Sequence, residues 1–141
     1  MLRPYPKQPI HVVAACLRDG ERALVTQRAM AETEGGQWEF PGGKCEPGED
    51  WCQALEREIR EELSLNIVAK FPFGSWYREH DDEAFVVHLM STQLKGQLEQ
   101  IQLSVHQDTR WVSMDNEIVL EWAGRDGEMA VFLADAFKPM S

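Results

Sequence analysis

Cysteine is scarce in this chain. It has three in 141 residues, Cys16, Cys45 and Cys52. An odd number without a repeated spacing makes no disulfide framework, and no CxxC pair marks a zinc site. Positive charge is also short: 14 Lys and Arg stand against 24 Asp and Glu, for a formal net charge of -10. That balance excludes a non-specific nucleic-acid binder working through a basic surface. Long apolar runs are missing too. No stretch approaches the ~20 residues that span a bilayer, and the opening MLRPYPKQPIH lacks the apolar run of a signal peptide. No internal repeat and no tract rich in Pro, Gly or Ser divides the chain. These absences lead us to expect one domain over 1–141, soluble and cytoplasmic, with reduced thiols. No membrane and no long nucleic acid are expected as partners, and the chain acts alone or as a homodimer.

The remaining composition, 43% apolar and 27% charged, is that of an ordinary globular domain. Ile10 to Leu17 reads as a buried strand, Arg18 to Glu21 as a turn, and Ala23 to Gln27 as the returning strand of a hairpin. Ala29 to Gln37 reads as a loop, and Trp38 to Phe40 as a brief extended piece stopped by Pro41-Gly42-Gly43. Asp50 to Leu63 is the clearest helix, with acidic residues expected in its first turn. Asn66 to Tyr77, Glu83 to Thr92 and Thr109 to Val112 are strand candidates, with Glu79 to Asp82 as a turn. Asp126 to Phe137 is expected as a last helix, with Met129, Phe132, Leu133 and Phe137 inward. The pattern predicts an α/β fold, a mixed sheet with helices packed on it.

One stretch of the helix asks for an explanation. EREIREE, Glu56 to Glu62, packs four glutamates and two arginines into seven residues. At about 100 degrees per residue, Trp51, Leu55, Ile59 and Leu63 make one apolar stripe. Glu58, Glu61 and Glu62 gather on one face, while Glu56 and Arg60 point to solvent and Arg57 and Arg60 lie on the other flank. Like charges at that spacing repel. From the helix alone two readings stay open: a solvated acidic face, or carboxylates neutralised by divalent cations. Oxygen ligands without His or Cys suit Mg²⁺ or Mn²⁺. Upstream, Gly42 and Gly43 permit a backbone path that can turn a carbonyl towards a metal, and Glu49 is a partner for Arg57 that would fix the helix start.

These residues resemble the Nudix box, G-x5-E-x7-R-E-U-x-E-E-x-G-U with U aliphatic. It reads here as Gly43, Glu49, Arg57, Glu58, Ile59, Glu61, Glu62, Ser64 and Leu65, and only Ser64 departs, where the pattern has glycine. The resemblance implies a Nudix fold, an α/β/α sandwich around a mixed β-sheet. It also implies a metal-binding hydrolase of nucleoside diphosphate derivatives that uses magnesium or manganese. By this carry-over Gly43, Glu58, Glu61 and Glu62 hold the metal, Glu58 and Glu61 serve catalysis, and Arg57 orients Glu49. WEFPGGK, Trp38 to Lys44, looks like the MutT-like branch, pyrophosphohydrolases that convert a nucleoside triphosphate to monophosphate and pyrophosphate. That likeness gives Arg28, Phe40 and Asp126 to the nucleotide substrate, with Trp122 and Trp76 as further rings for stacking.

An ionised Asp126 accepts hydrogen bonds, which favours cytidine- or guanine-type triphosphates, oxidised or methylated forms included. Its alternative is a helix cap. The pattern's other departure is Val105, which stands where many relatives carry an acid before Trp111; Asp108 is the nearest substitute, and His106 reads as structural. Two other functions remain in view: hydrolysis of a nucleotide sugar, dinucleotide or RNA 5′ end, and a catalytically weak nucleotide-binding module.

Overall fold

The computed structural model describes residues 8–96, 101–113 and 120–136. Eight strands and two helices are assigned there, and their arrangement follows from strand alternation. In β1 (Ile10–Cys16), Val13 and Ala15 face one side and Ala14 and Cys16 the other, and all four are buried. A strand buried on both faces needs a cover on each. Helix α1 (Trp51–Leu63) supplies one, packing Leu55, Ile59 and Leu63 on Val13, Ala15 and Leu17. Helix α2 (Asp126–Ala136) supplies the other, with Met129, Ala130 and Leu133 on Ala14, Cys16 and Val25. Of the residues expected to line its inner side, Phe132 is instead half-exposed, meeting Trp76 edge-on. Phe137 lies outside the described residues.

The sheets between the helices number two. The first, ordered β5-β1-β7-β6, is mixed: β1 runs parallel to β7 (Glu83–Lys95) and antiparallel to β5 (Gly42–Lys44), and β6 (Asn66–His80) is antiparallel to β7. The second centres on β3 (Arg22–Arg28), flanked by β8 (His106–Ser113) and by the short β2 (Arg18–Asp19) and β4 (Trp38–Glu39).

The expected hairpin of Ile10 to Leu17 with Ala23 to Gln27 is therefore corrected. The return to β3 is made by Arg18 and Asp19 and by the Leu17 carbonyl, which accepts from the Leu24 N–H at 2.9 Å, while β1 itself belongs to the other sheet. The extended piece of Trp38 and Glu39 does end before Pro41, but Gly42 and Gly43 are more than the stop of a strand. They form one, and the reason is contact: a Cβ on Gly42 would lie 1.9 Å from the Val13 carbonyl oxygen, so only glycine lets β5 approach β1 this closely.

The start of α1 is fixed by both its cap and its first ring. Asp50 accepts from the Gln53 N–H and Gln53 returns the bond to the Asp50 N–H, closing a capping box. No acidic residue occupies the first turn, so Asp50 is the cap rather than part of the turn. Trp51 stacks on His88 at 3.6 Å between ring centroids, and Ser75 and His11 hold that imidazole by its two nitrogens. The far end closes on Ser64, whose φ of 56° is left-handed. That geometry explains why the motif has glycine there.

Candidate active site

A cleft of about 560 Å³ opens between β5, the loop after β3, the β6–β7 turn and the start of α2. Its floor is built by α1 and β5 together. Gly43 has no room for a side chain, because a Cβ there would stand 2.4 Å from the Glu58 carboxyl carbon. Beside it Glu62 lines the cleft, its side chain only 14% exposed. Burial, with Glu58 and Glu39 adding repulsion, pushes the Glu62 carboxyl up to about 8. Its Oε2 has no hydrogen-bond partner, an omission that costs a buried acceptor about 1–3 kcal/mol.

Arg57 is not on a separate flank. Its guanidinium binds Glu49 through Nε at 2.7 Å and Nη2 at 2.9 Å, takes the Lys44 carbonyl at 3.1 Å, and reaches Glu58 and Glu61 through Nη1 at 3.0 and 3.2 Å. The Glu49 carboxyl is held below its usual range by the hydrogen bond from Arg57 and by the Glu46 N–H. Arg57 therefore ties the loop before the helix, the helix and β5 into one piece. Glu61 stands on the outer side of this clamp, with its side chain 59% exposed. Glu56 does not point freely to solvent either, since its carboxylate accepts from the Ala69 N–H of β6. Among the described residues no three His, Cys, Asp or Glu side chains ring a single point. Arg57 Nη1 bridges Glu58 and Glu61 instead. The donors nonetheless fit a hard divalent cation, given an orphaned carboxylate oxygen at Glu62 and a glycine cradle beside Glu58.

Arg28, Phe40 and Asp126 line the same cleft, whereas Trp122 and Trp76 are not in its lining. A register shift between Gln27 and Arg28 sets Arg28 opposite His106. The Arg28 guanidinium bonds to the Thr33 carbonyl at 2.7 Å and to Glu39 at 3.2 Å. Phe40 is buried and stacked on Trp122 at 5.6 Å, and its N–H donates to Asp126 Oδ2 at 2.8 Å. Asp126 thus commits its carboxylate across the cleft wall rather than capping α2. Protein crowds that carboxyl although the residue keeps some exposure, and desolvation, with Glu39 and Glu34 nearby, pushes it up to about 7. The acceptor-only expectation holds for the ionised form, which this upward shift makes less favoured near neutral pH. Val105 is exposed at the cleft rim, and Asp108 pairs with Gln27 and accepts from the Thr109 N–H, outside the cleft lining.

Three residues escaped sequence reasoning. Glu39 sits between Arg28 and His106, and His106 is wedged between Glu39 and Glu62 with its side chain 5% exposed. The signal for Glu39 was alternation: a charge between the buried Trp38 and Phe40 must face the opposite side. Glu34, at the end of the loop, bonds to Arg78 at 3.0 Å and to the Gly124 N–H at 2.7 Å. Those two bonds hold its carboxyl below its ordinary range against its burial. No local pattern announces a contact across 90 positions.

The chain is similar to known proteins over most of its length. The NUDIX domain model matches residues 7–132. A CTP pyrophosphohydrolase of Escherichia coli is 33% identical over 119 residues, covering 83% of this chain and 85% of that protein. An 8-oxo-dGTP diphosphatase of Proteus vulgaris is 39% identical over 63 residues, 44% of this chain and 56% of that protein. The solution structure of the E. coli ORF135 protein superposes with a TM-score of 0.78 at 31% identity, covering 95% of this chain and 96% of that one. The crystal structure of a MutT protein from Methanosarcina mazei gives 0.81 at 21% identity, over 96% of this chain and 100% of that one, and speaks for the fold alone. No helix among the described residues is long and apolar enough to cross a membrane.

Proposed function

The chain belongs to the Nudix family and is a pyrophosphohydrolase, and we propose that its substrate is a cytidine- or guanine-type nucleoside triphosphate, cut to monophosphate and pyrophosphate. The observation that carries the reading is Glu62, a buried carboxylate beside Gly42 with an unpartnered oxygen, in the lining of a nucleotide-sized cleft. The similarity to a CTP pyrophosphohydrolase and an 8-oxo-dGTP diphosphatase supports the substrate class. The reading takes 7–132 as the catalytic domain of a cytoplasmic enzyme.

Glu58 and Glu62, with the Gly43 carbonyl, are proposed to hold Mg²⁺ or Mn²⁺, and Glu61 joins them by leaving Arg57. The metal, when bound, screens the phosphate oxygens and acidifies the attacking water. The chain's own work is positioning. Arg57 and Glu49 fix the loop to the helix, so that Gly43 and Glu58 keep one spacing. Water adds to phosphorus, a phosphoanhydride P–O bond breaks, and the water's proton passes to a carboxylate, for which Glu58 against Gly43 is best set. Arg28 steadies Glu39 at the cleft wall, and Phe40, backed by Trp122, gives that wall its apolar part.

The test is release of pyrophosphate with Mg²⁺ or Mn²⁺ across nucleoside triphosphates, oxidised and methylated ones included. Preference for one cytidine- or guanine-type substrate, blurred by Asp126→Ala, is the expected result. Turnover only of nucleotide sugars or dinucleotides overturns the substrate and keeps the chemistry. No turnover of anything returns the chain to a nucleotide-binding module, with Val105 as the reason.

A further inference from the structure

His106 is gripped on one side and empty on the other. Its Nε2 lies 3.0 Å from Glu39 Oε1, and the same carboxylate takes a bond from Arg28 at 3.2 Å. A carboxylate so placed is an acceptor, so Nε2 is the nitrogen that carries hydrogen. In the neutral ring the lone pair is then on Nδ1. That atom is shut from solvent and has no partner, and neither has Glu62 Oε2, 3.8 Å away. Two buried polar atoms without partners therefore face each other across a gap too wide for a hydrogen bond.

The width of the gap has a chemical meaning. With metal–ligand distances of about 2.1 Å, a nitrogen and an oxygen on one cation stand from about 3 Å apart at a right angle to about 4.2 Å in line. The observed separation falls inside that range. The rest of the arrangement is what a ligating imidazole needs, since such a ring donates its other N–H to a carboxylate that fixes its orientation. Glu39 supplies that carboxylate, and Arg28 steadies Glu39 in turn.

We propose that His106 Nδ1 is a ligand of the active-site divalent cation, shared with Glu62. The inference rests on the metal-dependent reading above. It gives this chain a nitrogen ligand in the segment where Val105 offers none. Imidazole favours Mn²⁺ over Mg²⁺, which takes oxygen ligands, so the chain prefers manganese more strongly than an all-carboxylate site does.

Electron spin-echo modulation on the Mn²⁺-loaded full chain tests it. The expected result is ¹⁴N coupling that changes when the chain is made with ¹⁵N-histidine and disappears in His106→Gln. Glu39→Gln keeps the imidazole and frees its orientation, and should weaken Mn²⁺ about ten-fold with a smaller loss for Mg²⁺. Bound Mn²⁺ without nitrogen coupling, or coupling that survives His106→Gln, overturns the ligand and leaves metal-dependent hydrolysis standing. Should His106→Gln not fold, labelled wild type decides: modulation unchanged by ¹⁵N-histidine overturns the proposal. Failure of the wild-type chain to bind Mn²⁺ at all overturns both readings.

Discussion

Replacing Gly43 with alanine should disable the enzyme while sparing its fold. The added Cβ would stand 2.4 Å from the Glu58 carboxyl carbon and 2.6 Å from both its oxygens. Carbon atoms in contact prefer about 3.5 Å or more, so the carboxylate has to retreat by about 1 Å. Misplacement of that size near a reacting centre costs about 100-fold in rate, or ~2.7 kcal/mol. Stability should fall far less, because what must move is the end of a side chain and the β1–β5 ladder keeps its register. A loss of about 1 kcal/mol is expected, a few degrees in thermal midpoint. Gly42→Ala is the contrasting variant. Its Cβ meets the Val13 carbonyl at 1.9 Å, a backbone atom that cannot step aside, so it should unfold rather than slow. The assay is kcat/KM for the preferred triphosphate beside thermal unfolding, repeated in a Glu58→Ala background. There Gly43→Ala should add little, since the group it displaces is gone. A Gly43→Ala enzyme that keeps more than about a third of its activity, or loses as much without Glu58 as with it, refutes the reasoning.

The other predictions concern charge and backbone. Because the Glu62 carboxyl is raised to about 8 in the fold, above about 4.3 unfolded, metal-free stability is fullest below about pH 4 and declines as pH rises through about 8. Glu62→Gln should remove its share of that decline, and melting curves in a chelator from pH 5 to 8.5 that match wild type count against the burial argument. Ser64 holds a left-handed φ of 56°, so Ser64→Gly should gain about 1 kcal/mol, read as a higher urea midpoint; an unchanged midpoint means serine carries no strain there. Asp126, raised to about 7, donates as well as accepts below that pH and only accepts above it. A cytosine edge uses both roles and a guanine N1/N2 edge only the acceptor. The kcat/KM ratio of cytidine- to guanine-type substrates should therefore fall from pH 6 to 8 and become flat in Asp126→Asn.

Helix α1 is legible in the sequence because everything that defines it is local. Its four-residue apolar stripe and carboxylate-rich face fix its inner side, although Asp50, expected in the first turn, turns out to cap it. The alternation in β6 and β7 does the same for that hairpin. Sheet assignment is harder. β1 and β3 look alike as short apolar runs joined by a turn, and adjacent runs invite a hairpin. Their separation into two sheets depends on β7, some 70 positions along, which takes the parallel edge of β1. The flank expected for Arg57 fails for a related reason. A helical wheel gives an angle, but a long side chain can sweep back across its own helix, and here Glu49 and the Lys44 carbonyl draw it into the acidic face. The role of His106 is illegible because its partners, Glu39 and Glu62, come from two distant elements.

The cations of the cleft explain why an acidic chain needs help to hold an anion. Its lining has three permanent cations, Arg28, Lys44 and Arg78, against six carboxylates, Glu32, Glu34, Glu39, Glu62, Asp81 and Asp126. Arg28 is committed to Glu39 and Arg78 to Glu34, while the Lys44 ammonium lies 5.9 Å above the Phe85 ring. Arg57, just below, is shared among Glu49, Glu58 and Glu61. A triphosphate brought in alone would meet more negative than positive charge. At 4 Å and an effective dielectric of ~20, a single like pair costs about 4 kcal/mol. Divalent cations held as proposed on Glu58 and Glu62 would reverse that sign locally. Binding of a non-hydrolysable triphosphate analogue, followed by calorimetry, should therefore be barely measurable in chelator and tighten at least a hundred-fold with Mn²⁺. Glu62→Gln should narrow that gap from the metal side, removing one ligand, because without metal the raised Glu62 carboxyl is already largely neutral below about pH 8. Equal affinity with and without metal would mean that Lys44 and the arginines suffice, and that the buried carboxylate of Glu62 serves some purpose other than holding a cation.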